Sequence, residues 1–353
     1  MRLKAISGII LTLLLTGMLT LTFKAQTVKA SGTIYIRADG SVDPPTVPIS
    51  TVDNVTYTFT DNLYDSIVVE RDNIVIDGTG YTLQGTGSGR GIDLSARNNI
   101  TVKNMGIKSF AQGIYLYGSS NNHISGNNIT ANNDNGIEQH NSLNNSISGN
   151  NITNNSHCGI FLCLTDYNSI SGNRITNNDY GIWIWSWSSH NSISGNNLTN
   201  NQHGILLSDS PENSIYHNNF NNNTYQASTY DSANVWDDGY PSGGNYWSDY
   251  AGVDVKSGPY QNVTGSDGMG DTPYVIDADN KDRYPLMYPF GFVPGDVNGD
   301  KKVNILDAIL LANAFGSKPG SPNWNPRADF NNDNVVNILD AIILANNFGK
   351  KGP

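Results

Sequence analysis

The sequence predicts a mainly β solenoid of short stacked strands, followed by a small α-helical module. Three observations lead there. Apolar residues recur with a step of 22 or 23 residues through the middle of the chain. Each repeat holds short apolar pieces punctuated by Gly and Asn, too short for helices and suited to strands with tight bends. Two nearly identical acidic segments, 33 residues apart, then close the sequence.

The repeat is explicit. Gly126, Gly149, Gly172 and Gly195 follow one another at 23-residue intervals, as do Ile124, Ile147, Ile170 and Ile193, and Ile129, Ile152, Ile175 and Leu198. A second register is a Gly-Ile pair that begins at Gly91, Gly113, Gly136, Gly159, Gly181 and Gly204. Such a period with β-type patterning means a solenoid, in which each strand pairs with its equivalent in the next turn. The Ile columns should fill the interior of about seven coils over residues 65 to 224. Asn127, Asn150, Asn173 and Asn196 form one corner column, and Asn132, Asn155, Asn178 and Asn201 another. Asn tolerates the left-handed conformation at corners, and stacked amides bond to one another.

Composition bounds the setting. Of 353 residues 37% are hydrophobic, enough for a folded core, while the net charge is -11 with only 20 Lys and Arg. That balance offers no basic footprint for a phosphate backbone, so nucleic acid is excluded as a partner. The chain opens with "MRLK", an apolar run from Ala5 to Phe23, and small residues at Val28 and Ala30. Residues 1–30 read as a signal peptide, which places the body in an extracellular or cell-surface position; a membrane is a partner only if that segment stays uncleaved. Cys158 and Cys163 are the only cysteines. Five strand steps of about 3.3 Å would hold them too far apart to bond, so two free thiols are expected.

The pattern "NSISGNNITNN" with its following "GI" resembles the right-handed parallel β-helix repeats of the NosD-like, CASH-type families of carbohydrate-binding proteins and sugar hydrolases. The resemblance extends to "YDSIVVERDNIVIDGTGYTLQGTGSGRGIDL" (64 to 94) and to "GGNYWSDYAGVDVKSGPY" with "GSDGMGDTPYVIDADNKDRYPL" (243 to 286). It implies a right-handed parallel β-helix with an N-terminal cap over residues 31–228 and an irregular closing segment over 229–290. Activity stays open, because one fold hosts many functions.

Beyond the Pro-rich stretch "YPLMYPFGFVPG" the module 291–353 begins. Asp296, Asn298, Asp300, Asn304 and Asp307 occupy loop positions 1, 3, 5, 9 and 12, with the Lys302 carbonyl at position 7. Asp329, Asn331, Asp333, Asn337 and Asp340, with the Val335 carbonyl, repeat the set. Oxygen donors at this spacing let a chain wrap a calcium ion, so two ions are expected. Asp rather than Glu at position 12, and no entering helix, depart from the EF-hand and resemble the dockerin family. That resemblance implies a cohesin module or surface scaffold as partner. In place of the Ser-Thr pair frequent at dockerin positions 10 and 11 stand Ile305-Leu306 and Ile338-Leu339, which suggests a more apolar interface. Asp267 and Asp271 in "GSDGMGD" are candidates for a further calcium.

Placing each Gly-Ile isoleucine inward turns the next residue outward. The outward columns read Asp93, Tyr115, Glu138, Phe161, Trp183, Leu206, and Ser95, Tyr117, His140, Cys163, Trp185, Ser208. Tyr115, Tyr117, Glu138, Phe161, Trp183 and Trp185 are therefore the candidate carbohydrate-binding residues, with Asp93 and His140 as polar contacts. Exposed aromatic patches mark binding surfaces, although Tyr and Trp are favoured on any sheet. The leading expectation is a non-catalytic glycan- or polysaccharide-binding solenoid tethered by its dockerin. The alternative is a polysaccharide-degrading lyase or glycoside hydrolase in a multi-enzyme assembly, for which no catalytic residues are assigned. The six His residues are dispersed, which argues against a copper site. Nine N-x-S/T sequons, among them Asn128, Asn151 and Asn197, arise mostly from the repeat itself.

Overall fold

The computed structural model describes residues 32–331 and 333–351. The expected signal segment, residues 1–30, lies outside them. From Thr33 onward the chain winds into a right-handed parallel β-helix of three sheets with ten, eight and nine strands. One turn runs through a six-residue strand such as Cys158–Cys163, then Ser169–Ser171, then Arg174–Thr176, and returns beside itself at Tyr180–Trp185. The eight-stranded sheet gives about eight turns.

The pairing register is the one the period dictates. Ile124, Ile147, Ile170 and Ile193 stand directly beside one another in the nine-stranded sheet, and all are fully buried. Ile129, Ile152, Ile175 and Leu198 do the same in the eight-stranded sheet. Ile114, Ile137, Ile160, Ile182 and Ile205 line the ten-stranded one. A one-residue slip would turn each column out to solvent, so the three columns fix the stack. At the Gly of each Gly-Ile pair the backbone of the next coil comes close: a Cβ on Gly136 would meet the Gly159 carbonyl oxygen at 2.7 Å. Only glycine fits there.

At the corners the structure corrects one expectation. The column asparagines do not take the left-handed conformation; the residue before each does. Gly126, Gly149, Gly172 and Gly195 have φ between 62° and 65°. This residue turns the chain, and the Asn after it points its side chain inward. The amide of Asn150 then donates to Asn173 Oδ1 at 3.0 Å and to the Ile124 carbonyl at 2.9 Å, while its own Oδ1 accepts the Asn127 main-chain N–H at 3.0 Å. Each buried amide satisfies main-chain groups of its neighbours, which is why it can be buried at all. A third ladder, through Asn122, Asn145, Asn168, Asn191 and Asn213, escaped the sequence reading although it keeps the same period. There the left-handed residues include Tyr167, His190 and Glu212.

The far end of the stack is closed by aromatic rings. Phe220 continues the Ile175 and Leu198 column, and Trp247 stacks between Phe220 at 4.4 Å and Tyr274 at 4.2 Å. Asp282 anchors this closure, accepting the Asn245 N–H at 2.7 Å, the Trp247 indole N–H at 2.9 Å and the Tyr284 N–H at 3.0 Å. Its complete burial still pushes the carboxyl up to about 7.

Two helices follow, α1 (Ile305–Ala314) and α2 (Ile338–Asn347). Asn304 and Asn337 cap them, and Asp307 and Asp340 complete capping boxes. Each acidic loop pairs with the segment after the other helix: Val303 N–H donates to the Lys350 carbonyl, and Val336 N–H to the Ser317 carbonyl, both at 3.0 Å. Shifting one contact by the 33-residue repeat gives the other, so the halves relate by a two-fold exchange. Val297, Val303, Leu311, Phe330, Val336 and Leu344 form the module's own core.

Two substitutions separate the contributions of column and ladder. Ile170→Ala should lower stability by about 2–5 kcal/mol through the cavity it leaves. Asn173→Ala should cost about 1–3 kcal/mol, because Asn150 loses the acceptor for two donors. Urea unfolding of each variant checks both values.

Candidate functional site

The ten-stranded sheet presents the outward columns in the expected order. Asp93, Tyr115, Glu138, Phe161, Trp183 and Leu206 are consecutive neighbours, as are Tyr117, His140, Cys163, Trp185 and Ser208. All six candidate contact residues therefore share one face. They are not equally accessible. Tyr117 and Trp185 are exposed, Tyr115 and Trp183 half-buried, and Phe161 and Glu138 buried. Phe161 is covered because His140, Trp183 and Trp185 pack around it with ring centroids 5.4 to 6.3 Å apart. Trp183 lies over Tyr180, and its buried indole N–H has no partner.

The sequence reading missed a third column on this face. Tyr180, His203 and Tyr225 occupy adjacent strands and stack ring on ring, with centroids 4.9 and 4.7 Å apart. Tyr180 and His203 stand just before the Gly of a Gly-Ile pair, a register that could have been counted from sequence. Trp187, 73% exposed, extends the aromatic surface past a strand end, and Tyr230 continues the column of Trp185 and Ser208. Burial lowers the His203 imidazole, favouring its neutral form.

The polar groups are tightly committed. Arg90 bonds Asp93 at 2.7 Å and lies 3.4 Å over the Tyr115 ring. Glu138 accepts from Asn135 at 2.7 Å and pairs with His140 Nε2 at 2.7 Å. Burial alone would raise both carboxyls, but Ser95 and Arg90 around Asp93, and His140 and Asn135 around Glu138, outweigh it and hold both below the ordinary carboxylate range. A glycosidase of the two-carboxylate kind needs one acid kept protonated. This pair supplies none. Directly behind the dyad, Gln139 interrupts an interior column that elsewhere carries Leu116 and Leu162. It is fully buried, draws the Asn145 amide to its Oε1 at 3.1 Å, and leaves its own Nε2 without a partner.

Both cysteines are free and buried. Desolvation raises both thiols, most strongly Cys158, as expected of inert side chains.

The C-terminal loops place Asp296, Asn298, Asp300, Lys302, Asn304 and Asp307 around one turn, and Asp329, Asn331, Asp333, Val335, Asn337 and Asp340 around the other. Position 6 is left-handed in both, Lys301 at φ 63° and Asn334 at φ 64°, the bend for which EF-type loops use glycine. As they lie, the side chains answer to their own loop. Asp296 accepts N–H groups of Gly299, Asp300 and Lys301, and Asp307 those of Asn298 and Asn304. Among the described residues no three His, Cys, Asp or Glu side chains gather into a metal-ready group. The hard oxygen donors and the shared bend nonetheless fit calcium, whose charge would offset the repulsion among three carboxylates per loop. Asp267 and Asp271 are used differently. Asp267 accepts from Gly258, Gln261 and Met269, and Asp271 from Val255 and Lys256, so both staple the closing segment.

With this geometry in view, residues 48–252, well over half of the chain, match the family model described as periplasmic copper-binding protein (NosD). The chain belongs to the NosD family. Residues 294–349 of this NosD-family chain match the dockerin type I domain. No curated protein matches it. Among solved structures, tailspike protein 2 from an Escherichia coli O157:H7 bacteriophage is similar at 15% identity and a TM-score of 0.40, over 52% of this chain and 33% of the tailspike. The periplasmic alginate epimerase AlgG follows at 15% and 0.37, over 54% and 69%, and an alginate lyase from Paenibacillus at 14% and 0.31, over 53% and 96%. The chain thus spans about a third of the tailspike, and these likenesses concern the fold alone.

The copper in the NosD family description finds no matching donor set among the described residues. His140 pairs with Glu138, His157 with Asp134 and His190 with Glu212, while His203 and His217 are stacked on rings. No helix of the described residues is long and apolar enough to cross a membrane.

Chelation should act on one part of this NosD-family chain only. Excess EGTA is expected to abolish the helical circular dichroism of residues 295 to 349 while the β-helix signal persists, and titration calorimetry on the full chain should show two calcium ions bound.

Proposed function

We propose that the chain is an extracellular or cell-surface glycan-binding protein, held in place by calcium-dependent docking of its dockerin to a cohesin module. The observation that carries the first half is the aromatic face: Tyr117, Trp185, Trp187, Tyr225 and Tyr230 are exposed along the ten-stranded sheet, Trp185 and Trp187 three coils beyond Tyr117 and Tyr225 and Tyr230 two coils further, at about 4.8 Å per coil. Half-exposed rings on a rigid sheet present apolar area at little entropic cost, which suits the flat faces of sugar rings.

The tethering half rests on the dockerin match and on two equivalent apolar faces. Ile305 and Ile338 are each 62% exposed, and Leu306, Ile309 and Leu339, Ile342 accompany them. Polar residues are the rule on a helix face turned to solvent. Isoleucine and leucine there are explained by a partner of apolar complementarity.

A second reading, catalysis on a polysaccharide, is favoured by the Glu138–His140 pair. A carboxylate orienting an imidazole is the usual arrangement of a general base. Gln139, buried behind it with an unpaired amide, breaks a packing rule in the manner of functional sites.

A polysaccharide array read for both retention and released reducing or unsaturated ends distinguishes the readings. Retention without products supports binding. Trp185→Ala with Trp187→Ala should weaken retention by about tenfold or more, since each stacked aromatic contact is worth about 0.5–1.5 kcal/mol, and should leave the β-sheet circular dichroism unchanged. Products that vanish in His140→Ala would establish catalysis instead. For the module, Ile305→Asp with Ile338→Asp should abolish cohesin capture while calcium binding is retained; capture unaffected by the double variant would remove the two-face assignment.

A further inference from the structure

We infer that the aromatic face selects an uncharged glycan and rejects acidic polysaccharides, an inference that rests on the glycan-binding reading above. Between Lys108 and Lys256 the sequence contains a single Lys or Arg, Arg174. That residue lies on the eight-stranded sheet, away from the aromatic columns, where it bonds Asn151 Oδ1 at 3.0 Å. At the margin of the aromatic face stand Arg90, which Asp93 neutralises at 2.7 Å, and Arg97, which faces Asp72 at 3.7 Å.

Negative groups frame the same face. Asp134 and Asp179 lie along the edge that carries Tyr180, close enough to raise the Cys158 thiol, and Glu138 sits between the aromatic columns. Asp209 and Asp231 are exposed on the opposite edge. The Trp187 N–H donates to the Asp209 carbonyl at 2.7 Å, so an acid stands one coil from the most exposed ring of the face. The imidazoles do not reverse the balance: His140 and His157 each pair with an acid, and burial holds His203 toward its neutral form.

A polyuronate brings one carboxylate per sugar along its whole length. Laid over these coils it would place each charge within about a Debye length of a fixed aspartate or glutamate, with no free guanidinium or ammonium to receive it. A chain of neutral pyranoses meets no such penalty. Its apolar ring faces match the tyrosine and tryptophan columns.

The test uses the full chain in calcium. Retention is compared on neutral oligosaccharides, xylan- and glucan-derived, and on uronate oligomers of matched length, at 20 mM and 500 mM NaCl. Neutral ligands should be retained at least about tenfold more strongly at low salt, with little change at high salt. Asp209→Lys with Asp231→Lys should raise uronate retention and leave neutral retention within twofold. Preferential uronate binding by the natural chain, lost in Trp185→Ala with Trp187→Ala, would overturn the selectivity and keep the glycan face. Retention of neither class would overturn both.

Discussion

The β-helix depends on one arrangement: the side-chain amide of a corner Asn bonded to the main chain and amide of the coil above and the coil below. A turn of 22 or 23 residues encloses too little apolar area to fold alone. Its corners also leave main-chain groups pointing inward with no water to meet them. The ladders from Asn127 to Asn245 and from Asn132 to Asn223 answer those groups at 2.9 to 3.2 Å, coil after coil. Stacking is therefore obligatory, as in other repeat architectures where stability resides in neighbour contacts. Function follows, since only a strict stack can hold outward residues in straight columns.

That rigidity explains where variation is allowed. The inward positions are almost uniformly Ile, Leu and Val, and the corners almost uniformly Asn, Gly and Ser. Outward positions of the nine- and eight-stranded sheets repeat Ser, Asn and Thr with little change. Only the ten-stranded sheet diversifies, carrying Asp93, Tyr115, Glu138, Phe161 and Trp183 where a repeat would have predicted one residue type. The same sheet holds a fully buried polar intrusion in its interior column, Gln139. Departures from local consistency gather where a protein does something other than fold.

The C-terminal module solves a different problem. It is too small for a large core and carries three carboxylates in each loop, so charge opposes its folding until a cation is bound. Its two halves hydrogen-bond main chain to main chain through Val303 and Val336, and the exchange leaves two like faces, around Ile305 and Ile338, uncovered. The β-helix is held by neighbour pairing, whereas the module's stability turns on how its loop carboxylates are satisfied.

The sequence by itself determined the solenoid, its register and the composition of the outward columns, because a strand has a period of two and a coil a fixed length. Once Ile124, Ile147, Ile170 and Ile193 are aligned, every other residue's face follows by counting. It also determined the loops, since donors at positions 1, 3, 5 and 12 are a matter of spacing. Tertiary structure alone decided which outward residues remain reachable. Phe161 lies in the right column yet is buried because His140 and Trp185 from the coils on either side pack over it, and Glu138 is held to His140 of its own strand. It decided that the residue before each column Asn takes the left-handed corner, Gly126 and its repeats in one column and Asn154, Asn177 and Asn200 in the other, because the column Asn side chain is needed inside. And it set the charge of the face, since whether Arg90 is a free cation depends on its 2.7 Å bond to Asp93, which spacing in a list of residues does not reveal.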